Sequence, residues 1–282
     1  MNYIELTHKE VLSILPDRKP DSHKGNYGRV LLLCGSRGYT GAAALAAMGA
    51  LRCGAGLVYL GVPECIYAIE AIKLNEAIVF PVSDRDGAMS AEAIDDIIKL
   101  LPKMDAVLIG PGLGCSVGTE DVTRYVLEHF SGPVVLDADG INVIAAHKNV
   151  LRDRTSPTIL TPHPGEFARL GGVIGEDRAS AAIAMARDLG ATVALKGHRT
   201  VITDGVHCYI NSTGNPGLAV GGSGDVLAGM ITGLLGVGLS VTDAVSCGVW
   251  LHGAAADLCA QQMGQYAMLP TDVLQVLPRL LK

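Results

Sequence analysis

Asp225 and the four residues before it carry the strongest chemical signal in the chain. Gly221-Gly222-Ser223-Gly224 precedes Asp225 and then an apolar run of helical character. Glycines at three of those four positions let successive backbone N–H groups point into one concavity. The helix that starts there adds its own free N–H groups and the positive end of its dipole. Such a turn is an anion hole, suited to a phosphoryl group in transfer. Asp225 at its mouth can take a proton from an attacking hydroxyl, while the backbone of Gly222, Ser223, Gly224 and Asp225 holds the charge that develops on the phosphoryl oxygens. The competing reading makes Asp225 a helix N-cap after a flexible turn. Asn215-Pro216-Gly217 upstream, and the loop of small residues between, favour the chemical reading.

Other polar and glycine-rich clusters could complete such a site. His163 lies between Pro162 and Pro164 with Glu166 close behind, and proline on both sides stiffens the loop and fixes the direction of the imidazole. In Lys196-Gly197-His198-Arg199-Thr200, two permanent cations and a hydroxyl beside a glycine suit a nucleotide phosphate or an adenosine pocket. A solvated turn is the plainer alternative. Gly35 to Gly41 has glycines at 35, 38 and 41, which is neither GxGxxG nor GxxxxGK[ST], so both the dinucleotide fingerprint and the P-loop are excluded. Gly112-Leu113-Gly114 is another loop without side-chain bulk. Asp137, Asp139 and Asn142 cluster after an apolar run; two carboxylates make a weak metal signal, and orienting or helix-capping roles are expected of them. His252 and Asp257, on an apolar C-terminal helix, read as structural.

These clusters need a scaffold that gathers them. From Arg29 onward, short apolar runs alternate with helical stretches: strands at 29–34, 57–61, 77–81, 106–109, 134–136, 158–160 and 192–195, and helices at 41–53, 64–73, 90–100, 118–130 and 178–189. A short helix behind the capping box Thr7-His8-Lys9-Glu10 precedes them. That alternation predicts an α/β fold, a mainly parallel sheet with helices on both faces. Asp204-Gly205 then signals a hairpin between 200–203 and 206–210, and the last third is helical and rich in small residues. No linker or composition shift divides the sequence, so residues 1–282 are expected to form a single domain. In open parallel sheets the ligand crevice lies at the carboxyl ends of the strands, where the glycine-rich and polar clusters fall.

Composition bounds the partners. Hydrophobic residues are 49 % of the chain but aromatics only 4 %, so the core is built from Ala, Val, Ile and Leu. The net charge is −6 with no basic tract, which argues against nucleic acid as the main partner. Seven cysteines, an odd number without CxxC, read as reduced and mostly buried thiols of a cytoplasmic protein. No signal peptide and no apolar stretch of membrane length are seen.

GGSGDVLAG resembles the C-terminal signature of the ribokinase-like superfamily, whose matching Asp is the catalytic base. Five further segments occur in order: KGNYGRVLLLCGSRGYTGAAALAAMGALRCGAG, IGPGLG, LDADGIN, TPHPGEFARL and KGHRTVITDG. Together they resemble the ADP- or ATP-dependent NAD(P)H-hydrate dehydratase family from about Lys24 to Gln262. The resemblance implies a ribokinase-like fold and the nucleotide-dependent return of (6S)-hydrated NADH or NADPH to NAD(P)H. It places Ala42, Gly114, His163 and Asp225 against the hydrated dinucleotide, and the nucleotide at Lys196, Gly197, His198, Arg199, Thr200 and Gly224. ADP or ATP with Mg2+ is the implied cofactor, and Glu166 aligns with a carboxylate that sugar kinases use to organise magnesium.

Many bacterial members carry an N-terminal epimerase domain. None is expected here, so one epimer is the expected substrate unless a separate epimerase assists. A homotetramer is implied by the family, and small residues such as Ala43, Ala44, Ala46, Ala47 and Gly49 suit close helix packing either between or within subunits. The nearest alternative is a small-molecule kinase of vitamin metabolism, of the hydroxymethylpyrimidine or hydroxyethylthiazole kinase type, sharing Asp225 but releasing a phosphorylated product. A non-catalytic nucleotide sensor on the same scaffold is a third.

Overall fold

Short β-branched and leucine-rich runs, closed by glycine or a polar residue, become the strands. The structure, a computed structural model, describes residues 4–282. The strands are β1 (Arg29–Leu33), β2 (Leu57–Pro63), β3 (Ile78–Val82), β4 (Asp84–Arg85), β5 (Ala88–Met89), β6 (Ala106–Ile109), β7 (Val134–Leu136), β8 (Thr158–Leu160), β9 (Thr192–Leu195), β10 (Val201–Thr203) and β11 (Cys208–Ile210). Nine of them pair in the order β11-β10-β9-β8-β7-β6-β1-β2-β3, and β4 and β5 form a separate hairpin. Every pairing from β9 across to β3 is parallel; β10 runs antiparallel to both β9 and β11. The expected mainly parallel sheet and the Asp204-Gly205 hairpin are both present.

Alternation of side chains along the strands builds two cores. Val30 and Leu32 of β1 face one layer with the helices Thr40–Arg52, Ser223–Gly236 and Val241–Met263, while Leu31 and Leu33 face the other with Val117–His129 and Arg178–Leu189. The helices Thr40–Arg52 and Ser223–Gly236 pack with almost no side chain between them. A Cβ on Gly229 would lie 2.0 Å from the Ala46 carbonyl oxygen, and one on Gly49 2.5 Å from that of Val226. Ala43, Ala46 and Ala47 are fully buried. The small-residue stripe therefore serves packing within the subunit.

One helix departs from its expected extent. Ser90–Leu100 is helical only over Ala93–Ile97, followed by a 3-10 turn at Leu101–Lys103. The β4–β5 hairpin, unread in the sequence, takes up the preceding residues: Ser90 N–H donates to Ser83 O at 3.0 Å, and Asp96 accepts from both the Ser83 amide and hydroxyl at 2.8 Å.

The strand order reverses between β1 and β6, with β2 and β3 on one side and β7 to β9 on the other. This switch point opens a crevice at the carboxyl ends. Its two lips are tied together: Gly35 N–H donates to Pro111 O at 2.8 Å, and the Ser36 hydroxyl to Gly112 O at 2.8 Å. Among the described residues no helix is long and apolar enough to cross a membrane. All seven cysteines are free, with Cys65 and Cys115 exposed and Cys34, Cys53, Cys208, Cys247 and Cys259 buried.

Candidate active site

The glycine-rich turn is fixed by conformation and by space. Gly222 is the N-cap of the helix Ser223–Gly236 with φ 98°, a left-handed conformation that favours glycine. A Cβ there would also lie 2.5 Å from Leu45 Cδ1. The first helical hydrogen bond runs from Val226 N–H to Gly222 O at 3.1 Å, so the Gly224 and Asp225 amides precede the ladder, free of helical acceptors. No side chain caps this helix. The N-cap reading of Asp225 is thereby removed: it stands in the first turn, half-buried and without a cap hydrogen bond, within the field of Asp137, Lys196 and Asp139.

Three adjacent strand ends deliver the groups opposite. Asp137, Thr161 and Lys196 each follow immediately on β7, β8 and β9. Asp137 Oδ1 accepts from the Lys196 ammonium at 2.6 Å and from the Thr161 hydroxyl at 2.7 Å. Lys196 Nζ lies 3.8 Å from Glu166 Oε2. It also lies 3.3 Å from where a Cβ on Gly224 would sit, and Asp137 Oδ2 is 3.8 Å from that point. The ammonium thus reaches the amide turn, in a contact that a side chain at 224 would tighten.

His163 starts the helix Pro164–Arg169. Its Nδ1 accepts from the Gly165 amide at 2.9 Å, and Glu166 Oε2 accepts from the His163 amide at 2.8 Å, a reciprocal capping box. Nε2, the nitrogen left to carry the proton in the neutral ring, lies 3.2 Å from Glu166 Oε1.

These groups set each other's charge. Burial alone would lower Lys196, but the carboxylates of Asp137, Glu166 and Asp225 outweigh it and raise its pKa, so the ammonium persists. Burial raises Glu166 against the pull of Lys196. Asp225 is pushed up to about 6, by burial first and then by repulsion from Asp137, with Lys196 opposing and Asp139 adding. His252 is 6 % exposed and lowered to about 4 by burial, with the Lys196 cation adding and the Ser223 backbone opposing. It is therefore neutral beside the turn. His252 Nε2 and Ser223 Oγ are both buried without a hydrogen-bond partner among the described residues.

The facing wall comes from β1 and β6. Gly112 (φ 63°) approaches Ala42 so closely that a Cβ on it would lie 2.9 Å from Ala42 Cβ. Gly114 N–H donates to Asp139 Oδ2 at 2.9 Å, and Asn142 Nδ2 to Asp139 Oδ1 at 3.1 Å. Asp139 therefore orients a loop, as expected; it makes no cap hydrogen bond.

Of the residues singled out in the sequence, the structure brings Lys196 to Gly224 and sets Ala42 beside Gly112, in the loop that continues to Gly114. The rest of Lys196–Thr200 forms a turn closed by the Thr200 hydroxyl donating to Gly197 O at 3.0 Å. Arg199, read as a phosphate cation, is engaged at the surface, its guanidinium donating to Glu5 at 2.7 Å. His198 is exposed. Two residues, Asp137 and Thr161, do more than the sequence suggested, while Asp257 is structural as read. Asp137 is a buried counterion, 1 % exposed, and Thr161 is its hydroxyl donor. Asp257 accepts from the Gly214 amide at 2.8 Å and from Asn215 Nδ2 at 2.9 Å, anchoring the loop that leads into the turn.

The profile of the NAD(P)H-hydrate dehydratase family matches residues 30–279. The chain belongs to this family. It is 38 % identical over 288 residues to the ADP-dependent (S)-NAD(P)H-hydrate dehydratase of Bacillus subtilis, covering 100 % of this chain and 99 % of that one. A crystal structure of the Bacillus subtilis ADP/ATP-dependent NAD(P)H-hydrate dehydratase, co-crystallised with ATP/Mg2+, aligns with TM-score 0.82 at 36 % identity over 99 % of this chain and 98 % of that one. A ribokinase-like superfamily protein of Enterococcus faecalis aligns with TM-score 0.87 at 30 % identity over 98 % and 94 %. The chain is 46 % identical over 277 residues to the bifunctional NAD(P)H-hydrate repair enzyme Nnr of Moorella thermoacetica; 96 % of this chain is covered but 52 % of that enzyme, so it spans about half the length of such relatives. The fold is ribokinase-like.

Proposed function

We propose that this dehydratase-family protein returns hydrated NADH or NADPH to NAD(P)H at the expense of a nucleotide phosphate. The observation that carries the reading is Asp225, unencumbered by a cap bond at the head of an amide turn and faced by the Lys196 ammonium. Hydrated NAD(P)H bears a hydroxyl on its reduced ring. Asp225 takes the proton of that hydroxyl, whose oxygen attacks the terminal phosphoryl of ADP or ATP. The Gly224 and Asp225 amides, with Lys196, receive the charge on the phosphoryl oxygens. The bond to AMP or ADP breaks. The ring nitrogen lone pair then expels inorganic phosphate from the ring carbon, and loss of a proton from the neighbouring carbon restores the dihydronicotinamide. Phosphorylation converts a poor leaving group, hydroxide, into a good one. Gly114 and Ala42 let the dinucleotide approach the switch point, and His163 borders it with Nε2–H. The nucleotide lies along Lys196–Thr200 and Gly224.

Mg2+ fits as a passenger on the nucleotide phosphates, where it would neutralise their charge. Glu166 does not fit as its direct ligand, because Oε2 accepts the His163 amide and Oε1 faces His163 Nε2. No group of three or more His, Cys, Asp or Glu side chains is placed to hold an ion among the described residues. Mg2+ commonly binds through substrate phosphates and few carboxylates.

A single-domain catalytic unit, a cytoplasmic location, a separate epimerase as partner and a homotetramer complete the proposal. Seven free thiols suit a reducing compartment. The bifunctional name of the Moorella relative supports the epimerase. Exposed Tyr67, Ile69 and Ile72 on the helix Glu64–Lys73, with Ile78 on the edge strand β3, give a subunit contact its apolar surface.

The test incubates hydrated NADH with ADP, ATP or no nucleotide and follows near-ultraviolet absorbance together with free phosphate. Nucleotide-dependent recovery with one phosphate per NADH is expected. A stable phosphorylated product would instead establish a kinase, and no turnover a sensor.

A further inference from the structure

Asp137 is 1 % exposed, and one of its oxygens, Oδ1, takes two donors, Lys196 Nζ at 2.6 Å and Thr161 Oγ1 at 2.7 Å. Its other oxygen, Oδ2, lies 3.8 Å from the point that a Cβ on Gly224 would occupy, and Lys196 Nζ 3.3 Å from the same point. A lysine ammonium is a point charge on a flexible four-carbon stem, so something must fix it if it is to meet a phosphoryl group at one place. Asp137 does this from the end of the strand next to β8, whose own end supplies the supporting hydroxyl. The ion pair stands against Gly224, at the start of the helix whose first-turn amides have no helical acceptor.

We propose that Asp137 is a positioning residue for phosphoryl transfer, fixing the Lys196 ammonium beside Gly224 and setting the electrostatic field in which Asp225 accepts its proton. The inference rests on Asp225 as the base. Asp137 and Asp139 beyond β7 and Lys196 beyond β9 act on Asp225 directly; Glu166 and His163 stand behind Lys196, Cys34 at the end of β1 feels Asp225, and His252 on the helix Val241–Met263 feels Lys196. Asp137 is the carboxylate with the largest repulsive effect on Asp225. Removing its charge makes Asp225 easier to ionise, so the acid limb of activity moves to lower pH.

The experiment compares wild type, Asp137→Asn, Lys196→Met and the double variant, with hydrated NADH and saturating ADP and Mg2+ across pH 5 to 9. In Asp137→Asn, kcat is expected to fall by about tenfold or more, a loss typical of a misplaced catalytic group, and the acid limb to move down in pH. The double variant is expected to match the plateau kcat of Lys196→Met alone, because Asp137 places that ammonium, and to keep the downward shift of the acid limb, because the Asp137 charge acts on Asp225 directly. Independent, multiplicative losses with an unmoved acid limb would overturn the proposal. So would a raised Mg2+ requirement with an unmoved limb, which would make Asp137 a carboxylate for the metal. Should Asp137→Asn not fold, Thr161→Val keeps both charges and frees one side of Asp137. It is expected to lower kcat in wild type and to have no further effect in Lys196→Met; a loss that persists there overturns the proposal. Retained activity in Asp225→Asn would instead bring down the base itself, which separates the two failures.

Discussion

A base must be ionised to accept a proton, and the surroundings of Asp225 oppose ionisation. Burial and the Asp137 carboxylate push it up to about 6, with Lys196 limiting the rise. Activity is therefore expected to fall about tenfold per unit below pH 6, read from kcat/KM for hydrated NADH. The sign for stability is the reverse. The folded pKa lies above that of the unfolded chain, so the folded state binds the proton more tightly. Asp225 thus costs stability once pH rises through the window from about 4 to about 6. Asp225→Asn is expected to melt higher than wild type at pH 8, by an amount on the order of 1 kcal/mol or more, and to lose that advantage near pH 4. Equal melting at both pH values would contradict the assignment. The helix start at Asp225 was legible in the sequence because the glycines beside it mark a turn with open amides. Asp137 was legible only as a polar residue after a strand. Its partner lies 59 residues away, and only the adjacency of β7, β8 and β9 brings Asp137, Thr161 and Lys196 together. Arg199, two residues beyond Gly197, donates to Glu5 through a contact that no local pattern contains.

The turn depends on elements that hold it from behind. The helices Thr40–Arg52 and Ser223–Gly236 touch through backbone, with Gly229 against Ala46 and Gly233 against Ala50. Gly229→Ala would force a Cβ to within 2.0 Å of a carbonyl oxygen and must spread the helices. A loss of about 1–3 kcal/mol, seen as a lower melting temperature, is expected. Gly222→Ala combines the strain of φ 98° with a clash at Leu45. It is expected to lower kcat more than it lowers stability, because the displaced atoms are those of the turn; equal proportional effects would contradict this. Strand positions were readable because buried parallel strands are compact apolar runs, and most matched within a residue or two. The helix 90–100 was not. Its acidic residues suggested a full helix, but Asp96 is committed to Ser83 across a hairpin that lies outside the helix itself.

At the scale of the molecule, the order reversal between β1 and β6 decides where chemistry can occur. The Ala42–Gly112 loop contact and the Asp137–Lys196–Gly224 cluster lie at this switch point, and the proposed function puts the dinucleotide at the first and the phosphoryl group at the second. Such sites stabilise the folded state by mass action, and ADP with Mg2+ is expected to raise the melting temperature in proportion to the logarithm of its concentration; no shift would argue against a nucleotide site. Light scattering after size exclusion is expected to give four subunits, and a monomer would remove that part of the proposal. The fold class followed from strand–helix alternation, whereas the subunit contact could not: the alanine-rich stripe that suited an interface is buried inside the chain. The central claim is tested most directly by recovery of NADH absorbance from hydrated NADH with ADP, in wild type and in Asp225→Asn at pH 7.5. Recovery in wild type with a loss of about a thousandfold or more in the variant is the predicted result. Comparable recovery in both would contradict Asp225 as the base that drives phosphoryl transfer.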